Sequence, residues 1–183
     1  MTWDEFLAHV DTLKKEDLPV ERLTELVHGL RITPELVEPH KNFASEKYAR
    51  NLMVKNHIFE AVCMCWEPGQ KTVVHNHGDS FGVFYVYEGE LLFNTFERAD
   101  DGSEPGKAKL AALSADRAKP GNIHFARIGD IHEMGNHPEH QGRTVSVHFY
   151  AGPMEQMEVF DLAAGTVESV VLPYYRTPES SLA

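Results

Sequence analysis

Gly69-Gln-Lys-Thr-Val-Val-His75-Asn-His77-Gly-Asp-Ser-Phe-Gly82-Val-Phe-Tyr-Val-Tyr-Glu-Gly89 is the stretch on which the reading of this chain turns. Residues 72–75 and 83–87 are rich in β-formers. Glycines bound them, which suits tight turns where φ must be positive. His75 and His77 lie two apart, so in a strand they share one face, with Cα atoms about 6.6–7 Å apart. Two imidazoles so placed can converge on one ion at the ~2.0–2.2 Å typical of nitrogen ligands. Taken alone, the pair reads equally well as two solvent-facing histidines at a strand end.

The strand rhythm continues outward in both directions. Phe59–Trp66 precedes the stretch and ends at the turn signal Pro68-Gly69. Residues 91–96 follow it across Glu88-Gly89-Glu90. Residues 98–107, with Asp101-Gly102 and Pro105-Gly106, read as a surface loop, and strands resume at 109–113, 124–128, 131–134 and 144–150. Many short strands with turn residues between them indicate a sandwich or barrel. Ahead of Tyr48 the texture is helical. Trp3–Val10 shows helix spacing with Thr2 as N-cap, and residues 19–30 form a second helix with Pro19 at its first position. Residues 33–37 open a third, stopped by Pro39. The expectation is an all-β fold with N-terminal helices in one domain, 1–183: a helical part over 1–40, a barrel over 48–161, and a strand and tail over 162–183.

Composition bounds the partners. At 183 residues the chain fits one domain with a substantial core. Its net charge of −11, with no Lys/Arg-rich run, argues against a nucleic-acid partner. No apolar stretch approaches the ~20 residues that span a bilayer. Met1-Thr-Trp-Asp-Glu5 carries acids where a secretory signal carries Lys or Arg. Cys63 and Cys65 sit too close for a useful disulfide loop and are expected to pack as small hydrophobes. A reduced cytoplasm is the simplest compartment.

The chain has 11 histidines, and most must be discounted. His9, His28 and His40 fall in the N-terminal part and His137 and His140 in a polar loop, as solvated or capping residues. His57 and His124 are expected to be structural. His132 lies in a second segment, Gly129-x2-His132-x3-Asn136. Gly69-x5-His75-x-His77-x4-Gly82-x6-Gly89 and this second segment resemble the two signatures of the cupin superfamily at every position but one. The resemblance implies a double-stranded β-helix, or jelly-roll, β-barrel, with His75, His77 and His132 as ligands of one divalent metal. The exception is Gly82, where most metal cupins place a glutamate ligand. Three neutral imidazoles would then leave about three octahedral positions open, and such ligands suit iron, zinc, copper or nickel.

Four segments narrow the resemblance: Tyr48-Ala-Arg50-Asn51-Leu52, His75-Asn-His77, Ile128-Gly-Asp-Ile-His132 and Ser146-Val-His148-Phe-Tyr150. Together they resemble cysteine dioxygenase, from about Tyr48 to Asp161. That implies oxidation of the cysteine thiol to a sulfinate, with one Fe(II) per chain as cofactor and O2 as co-substrate. Arg50 matches the family's carboxylate-binding arginine, and a planar guanidinium can grip a carboxylate through two charge-assisted bonds. Without the match it would read as a surface arginine in an ion pair. Tyr48 matches a tyrosine at the same end of the substrate. Ser146, His148 and Tyr150 alternate with Val145, Val147 and Phe149, and on pattern alone the polar face would meet solvent. The resemblance turns it inward, with the Tyr150 hydroxyl beside the reacting atoms, His148 orienting it and Ser146 anchoring His148.

Two positions depart from the animal enzymes. Gly82 stands where they carry a cysteine bonded to the tyrosine matching Tyr150, so here Tyr150 is a free phenol. Met157 stands where they carry another active-site cysteine and is expected to line the pocket. Both resemble the bacterial branch. Related thiol dioxygenases prefer 3-mercaptopropionate but usually replace the arginine with glutamine, so Arg50 favours L-cysteine. A cupin that binds a small molecule without turnover is the reading of another class.

Overall fold

The computed structural model describes residues 1–14 and 18–178, and the part of the expected tail at 179–183 lies outside them. A capping box opens the chain: the Thr2 hydroxyl accepts from the Glu5 N–H at 3.3 Å and the Glu5 carboxylate from the Thr2 N–H at 2.8 Å. Helix α1 (Trp3–Val10) follows and buries Phe6 and Val10. Helix α2 (Val20–Gly29) starts one residue later than expected. Pro19 is its extended N-cap rather than its first helical residue. Helix α3 (Pro34–Val37) passes into a 3-10 turn, Glu38–His40, that contains Pro39.

Among the described residues eleven strands come next: β1 (Ala49–Lys55), β2 (Phe59–Trp66), β3 (Val74–His75), β4 (Phe81–Glu88), β5 (Leu91–Arg98), β6 (Leu110–Ala118), β7 (Ile123–Ala126), β8 (Ile131–Asn136), β9 (Thr144–Ala151), β10 (Gln156–Asp161) and β11 (Thr166–Val171). They form two sheets, ordered β1-β2-β9-β4-β7 and β11-β10-β3-β8-β5-β6. Every paired neighbour is antiparallel. This is the all-β, two-sheet architecture expected.

Several strands differ from their predicted extents, three of them for a visible reason. The 72–75 strand shrinks to two residues because Thr72 ties to Met134 through its N–H at 2.7 Å and its hydroxyl at 3.0 Å. The 109–113 strand runs on to Ala118. Its added residues are mostly exposed because β6 is an edge strand, and of them Ala118 alone is buried. The 124–128 strand ends at Ala126, since the Asp130 carboxylate takes the Arg127 N–H at 2.8 Å and folds 127–130 into a turn.

Strands β2 and β9 are buried along their whole length. One face of each, with Phe59, Ala61, Cys63, Cys65, Val145, Val147 and Phe149, packs against the helices. The Phe6 ring lies 5.5 Å from that of Phe59 and 5.8 Å from that of Phe149. The opposite face carries Glu60, Val62, Met64 and Trp66 on β2 and Ser146, His148 and Tyr150 on β9. It looks into the space between the sheets, where Val62, Met64, Trp66 and Tyr150 join Leu91, Phe93 and Met134 of the second sheet. The helices thus occupy the apolar outer face, and the polar row is left for the interior.

Candidate metal centre

Histidines 75, 77 and 132 meet between the sheets. His75 on β3 is paired directly with His132 on β8. Their rings are 4.5 Å apart, and His77 lies 4.7 Å from His132 and 5.5 Å from His75. One nitrogen from each ring lies within 4.8 Å of the other two. No other such group of three potential ligands occurs among the described residues. His77 falls just past the end of β3, in a loop held by Asn76. That side chain donates to Glu158 Oε2 at 2.6 Å and accepts from the Gly78 and Glu158 N–H groups at 3.1 and 3.2 Å.

The three rings suit a cation that accepts no proton. All are buried, and burial pushes each below the ordinary histidine range; the neighbouring imidazoles add to the effect at His77 and His132. They are therefore neutral, the form that ligates. His75 Nδ1 lies 2.9 Å from the Val73 carbonyl, so that nitrogen is the N–H and Nε2 is free. The Nδ1 atoms of His77 and His132 are buried without any protein partner. No carboxylate joins the group. Neutral donors crowded together without a charge partner make little sense as a structural cluster and fit a divalent metal.

Tyr150 stands beside them, its ring 5.3 Å from that of His77. Its hydroxyl is 3.2 Å from His148 Nδ1, and His148 Nε2 is 2.8 Å from the Ser146 hydroxyl. Trp66 Nε1–H donates to that hydroxyl at 3.1 Å. Trp66 can only donate, so the Ser146 oxygen accepts there and its own hydrogen is available to His148 Nε2. With Nε2 accepting, His148 Nδ1 would carry the ring proton and donate to the Tyr150 oxygen. Burial, with Arg50 nearby, pushes the His148 pKa down to about 3. Burial raises that of Tyr150, which stays protonated.

Arg50 on β1 is buried, and its charge bears on His77, His148 and Tyr150. Nη2 bonds the carboxylate of Glu60 and the Met154 carbonyl, the latter at 3.2 Å. Nε and Nη1 are buried with no partner. Tyr48 stacks on Trp66 at 4.7 Å and lines a cavity of about 180 Å³ with Arg50, Leu172 and Tyr174. Met157 on β10 is buried and lines a second cleft, of about 520 Å³, that reaches His77. His75, His77, His132, Ser146, His148 and Tyr150 are thus brought together, while Tyr48 and Arg50 line one neighbouring cavity and Met157 another. The space between His77, His132, His148 and Tyr150 is small, about 10 Å³.

The other histidines lie apart from this cluster. His124 stacks on Phe84 at 5.2 Å, and His57 is exposed. Cys63 and Cys65 pack in the outer core with sulfurs 3.9 Å apart. Sequence reasoning missed Glu60, Tyr174 and the part Trp66 plays in the chain of hydrogen bonds. Glu60 did leave a signal: it is the single charge in the otherwise apolar run Phe59–Trp66.

The family model for cysteine dioxygenase type I matches residues 6–163. Cysteine dioxygenase type 1 of Rattus norvegicus is 25% identical over 172 residues, covering 89% of this chain and 82% of that protein. The Bos taurus protein of the same name is 24% identical over 164 residues, covering 87% and 78%. Among solved structures, a Klebsiella pneumoniae protein with a double-stranded β-helix domain is 16% identical and covers 78% of this chain and 97% of that one, with a TM-score of 0.50. A Bacillus halodurans protein is 15% identical and covers 67% and 81%, with a TM-score of 0.52. These two likenesses concern the fold.

Proposed function

The chain belongs to the cysteine dioxygenase type I family, and from that premise we propose that it oxidises L-cysteine with O2 to cysteine sulfinate. It is an oxygenase-type oxidoreductase on the cupin fold. In this reading His75, His77 and His132 hold one iron(II). The bound iron supplies the electron transfer that side chains cannot. The reaction balances without a further reductant: the thiol sulfur gives up four electrons, O2 takes them, and both oxygen atoms end on sulfur.

The observation that carries the reading is the meeting of three neutral imidazoles beside Tyr150, with the buried charge of Arg50 acting on His77 and Tyr150. Arg50 brings buried donors, Nε and Nη1, that no protein group uses, and a carboxylate on the substrate would satisfy them. Tyr48 borders the same end. Tyr150, kept protonated by burial beside His77, has a hydroxyl that can donate to the reacting atoms, and the Trp66–Ser146–His148 chain holds its oxygen in place. A donor fixed where charge develops needs no reorganisation during reaction. Met157 shapes the wall near His77. The free thiols of Cys63 and Cys65 suit a reducing cytoplasm.

Oxygen uptake by iron-loaded protein tests this directly. L-cysteine should drive consumption of one O2 per thiol and yield the sulfinate. A higher catalytic efficiency with 3-mercaptopropionate would move the substrate assignment, and ligand binding without uptake would remove the enzyme reading for this pocket.

A further inference from the structure

Glu60 is the least expected side chain in the interior. It is a carboxylate with no solvent exposure, on the inward face of β2, directly opposite Tyr150 of β9. One oxygen takes Arg50 Nη2, and the other takes the Tyr174 hydroxyl at 2.5 Å. The Tyr174 ring lies against the guanidinium, 4.4 Å from its carbon. Tyr174 reaches this spot because the segment after β11 is laced to β1. The Tyr175 N–H donates to the Arg50 carbonyl at 2.7 Å, and the Leu52 N–H donates to the Arg176 carbonyl at 2.8 Å.

We infer that Glu60 and Tyr174 are a positioning pair that presents Arg50 to the carboxylate of the substrate. This rests on the proposed role of Arg50. An arginine side chain has many rotamers, and holding it ready removes an ordering cost from each binding event. The pair does so asymmetrically. Glu60 and the Met154 carbonyl occupy Nη2, and the aromatic ring covers one face of the plane. Only Nε and Nη1 stay without partners. Glu60 also offsets the arginine charge, so that the guanidinium tolerates burial before substrate arrives. The chain's last described residues are in this way part of the binding site.

The test is the dissociation constant of iron(II)-loaded protein, measured anaerobically by calorimetry for L-cysteine and for cysteamine, which lacks the carboxylate. Tyr174→Phe removes one hydrogen bond and should weaken L-cysteine by about threefold to tenfold while leaving cysteamine unchanged. Glu60→Ala should weaken L-cysteine by more than about tenfold. Glu60→Gln keeps hydrogen-bonding atoms for Arg50 and Tyr174 but not the charge, so it should lose less L-cysteine affinity than Glu60→Ala does. Because Glu60→Ala strands a buried cation and can fail to fold, Tyr174→Phe decides the matter on its own. Equal loss for both ligands, or no loss in Tyr174→Phe, overturns the inference. Failure of the underlying reading looks different: Arg50→Gln then binds L-cysteine as wild type does, and the inference falls with it.

Discussion

Gly82 and Tyr150 face each other across β4 and β9 so closely that a methyl group at residue 82 would stand 2.8 Å from Tyr150 Cε1. That is closer than carbon atoms pack, and His77 closes the other side at 3.4 Å. Gly82 therefore both withholds a ligand from the metal centre and makes room for the phenol. Gly82→Ala should displace the Tyr150 ring, loosen its bond to His148, and destabilise the fold by about 1–3 kcal/mol. Denaturant midpoints and kcat, compared at equal iron content, check both parts. A variant with wild-type kcat would show that Tyr150 has slack.

Tyr150→Phe removes only the hydroxyl, and its shape change is slight. If the phenol donates to the reacting atoms, kcat should fall by about a hundredfold with little change in iron content or L-cysteine affinity. Single-turnover oxygen uptake separates the two. Loss of affinity with unchanged kcat would reassign Tyr150 to binding.

Arg50→Gln should raise KM for L-cysteine by roughly 10- to 100-fold, the worth of a charge-assisted bond to a carboxylate. Metal content should not move, since no histidine bonds to Arg50. Stability should drop by about 3–5 kcal/mol as well, because Glu60 is left buried without its cation. Cysteamine kinetics provide the internal comparison and should be the less affected.

Acid sensitivity follows from the buried imidazoles. His75, His77, His132 and His148 all have pKa values lowered by burial, His148 to about 3. Unfolding restores them to the ordinary value near 6.5. Below that pH the unfolded chain binds more protons than the folded one, so stability should fall as pH drops through 6.5 toward 4. Urea midpoints of chelator-treated protein at pH 7.5 and 5 should show a clear decrease. A flat profile would mean the rings are solvated.

Much of this was legible in the sequence because glycines and histidines at fixed spacing report turns and ligands together. The turn at Gly89 shows why: its φ is 75°, and a side chain there would strike Thr144 at 2.3 Å. The polar row Ser146, His148 and Tyr150 was not legible from periodicity. Alternation tells which residues share a face, not which face meets water. Here α1 and α2 cover the apolar side, so the polar side turns inward. The resemblance resolved that direction, and periodicity alone pointed the other way. Tyr174 escaped notice for a different reason. Its contact with Glu60 spans 114 residues and leaves no local pattern. The second half of β6 escaped because an exposed edge strand obeys no burial rule.

Metal content of the purified protein, set beside that of His132→Ala, tests the central claim most directly. His132 lies on a strand remote in sequence from His75 and His77, so its ring joins the other two only if β8 pairs with β3 as described. Wild-type protein should carry about one iron per chain, and the variant should lose most of it while keeping the circular-dichroism spectrum of a folded β protein. Full metal retention in His132→Ala, or a wild type that binds no iron at all, would contradict the account.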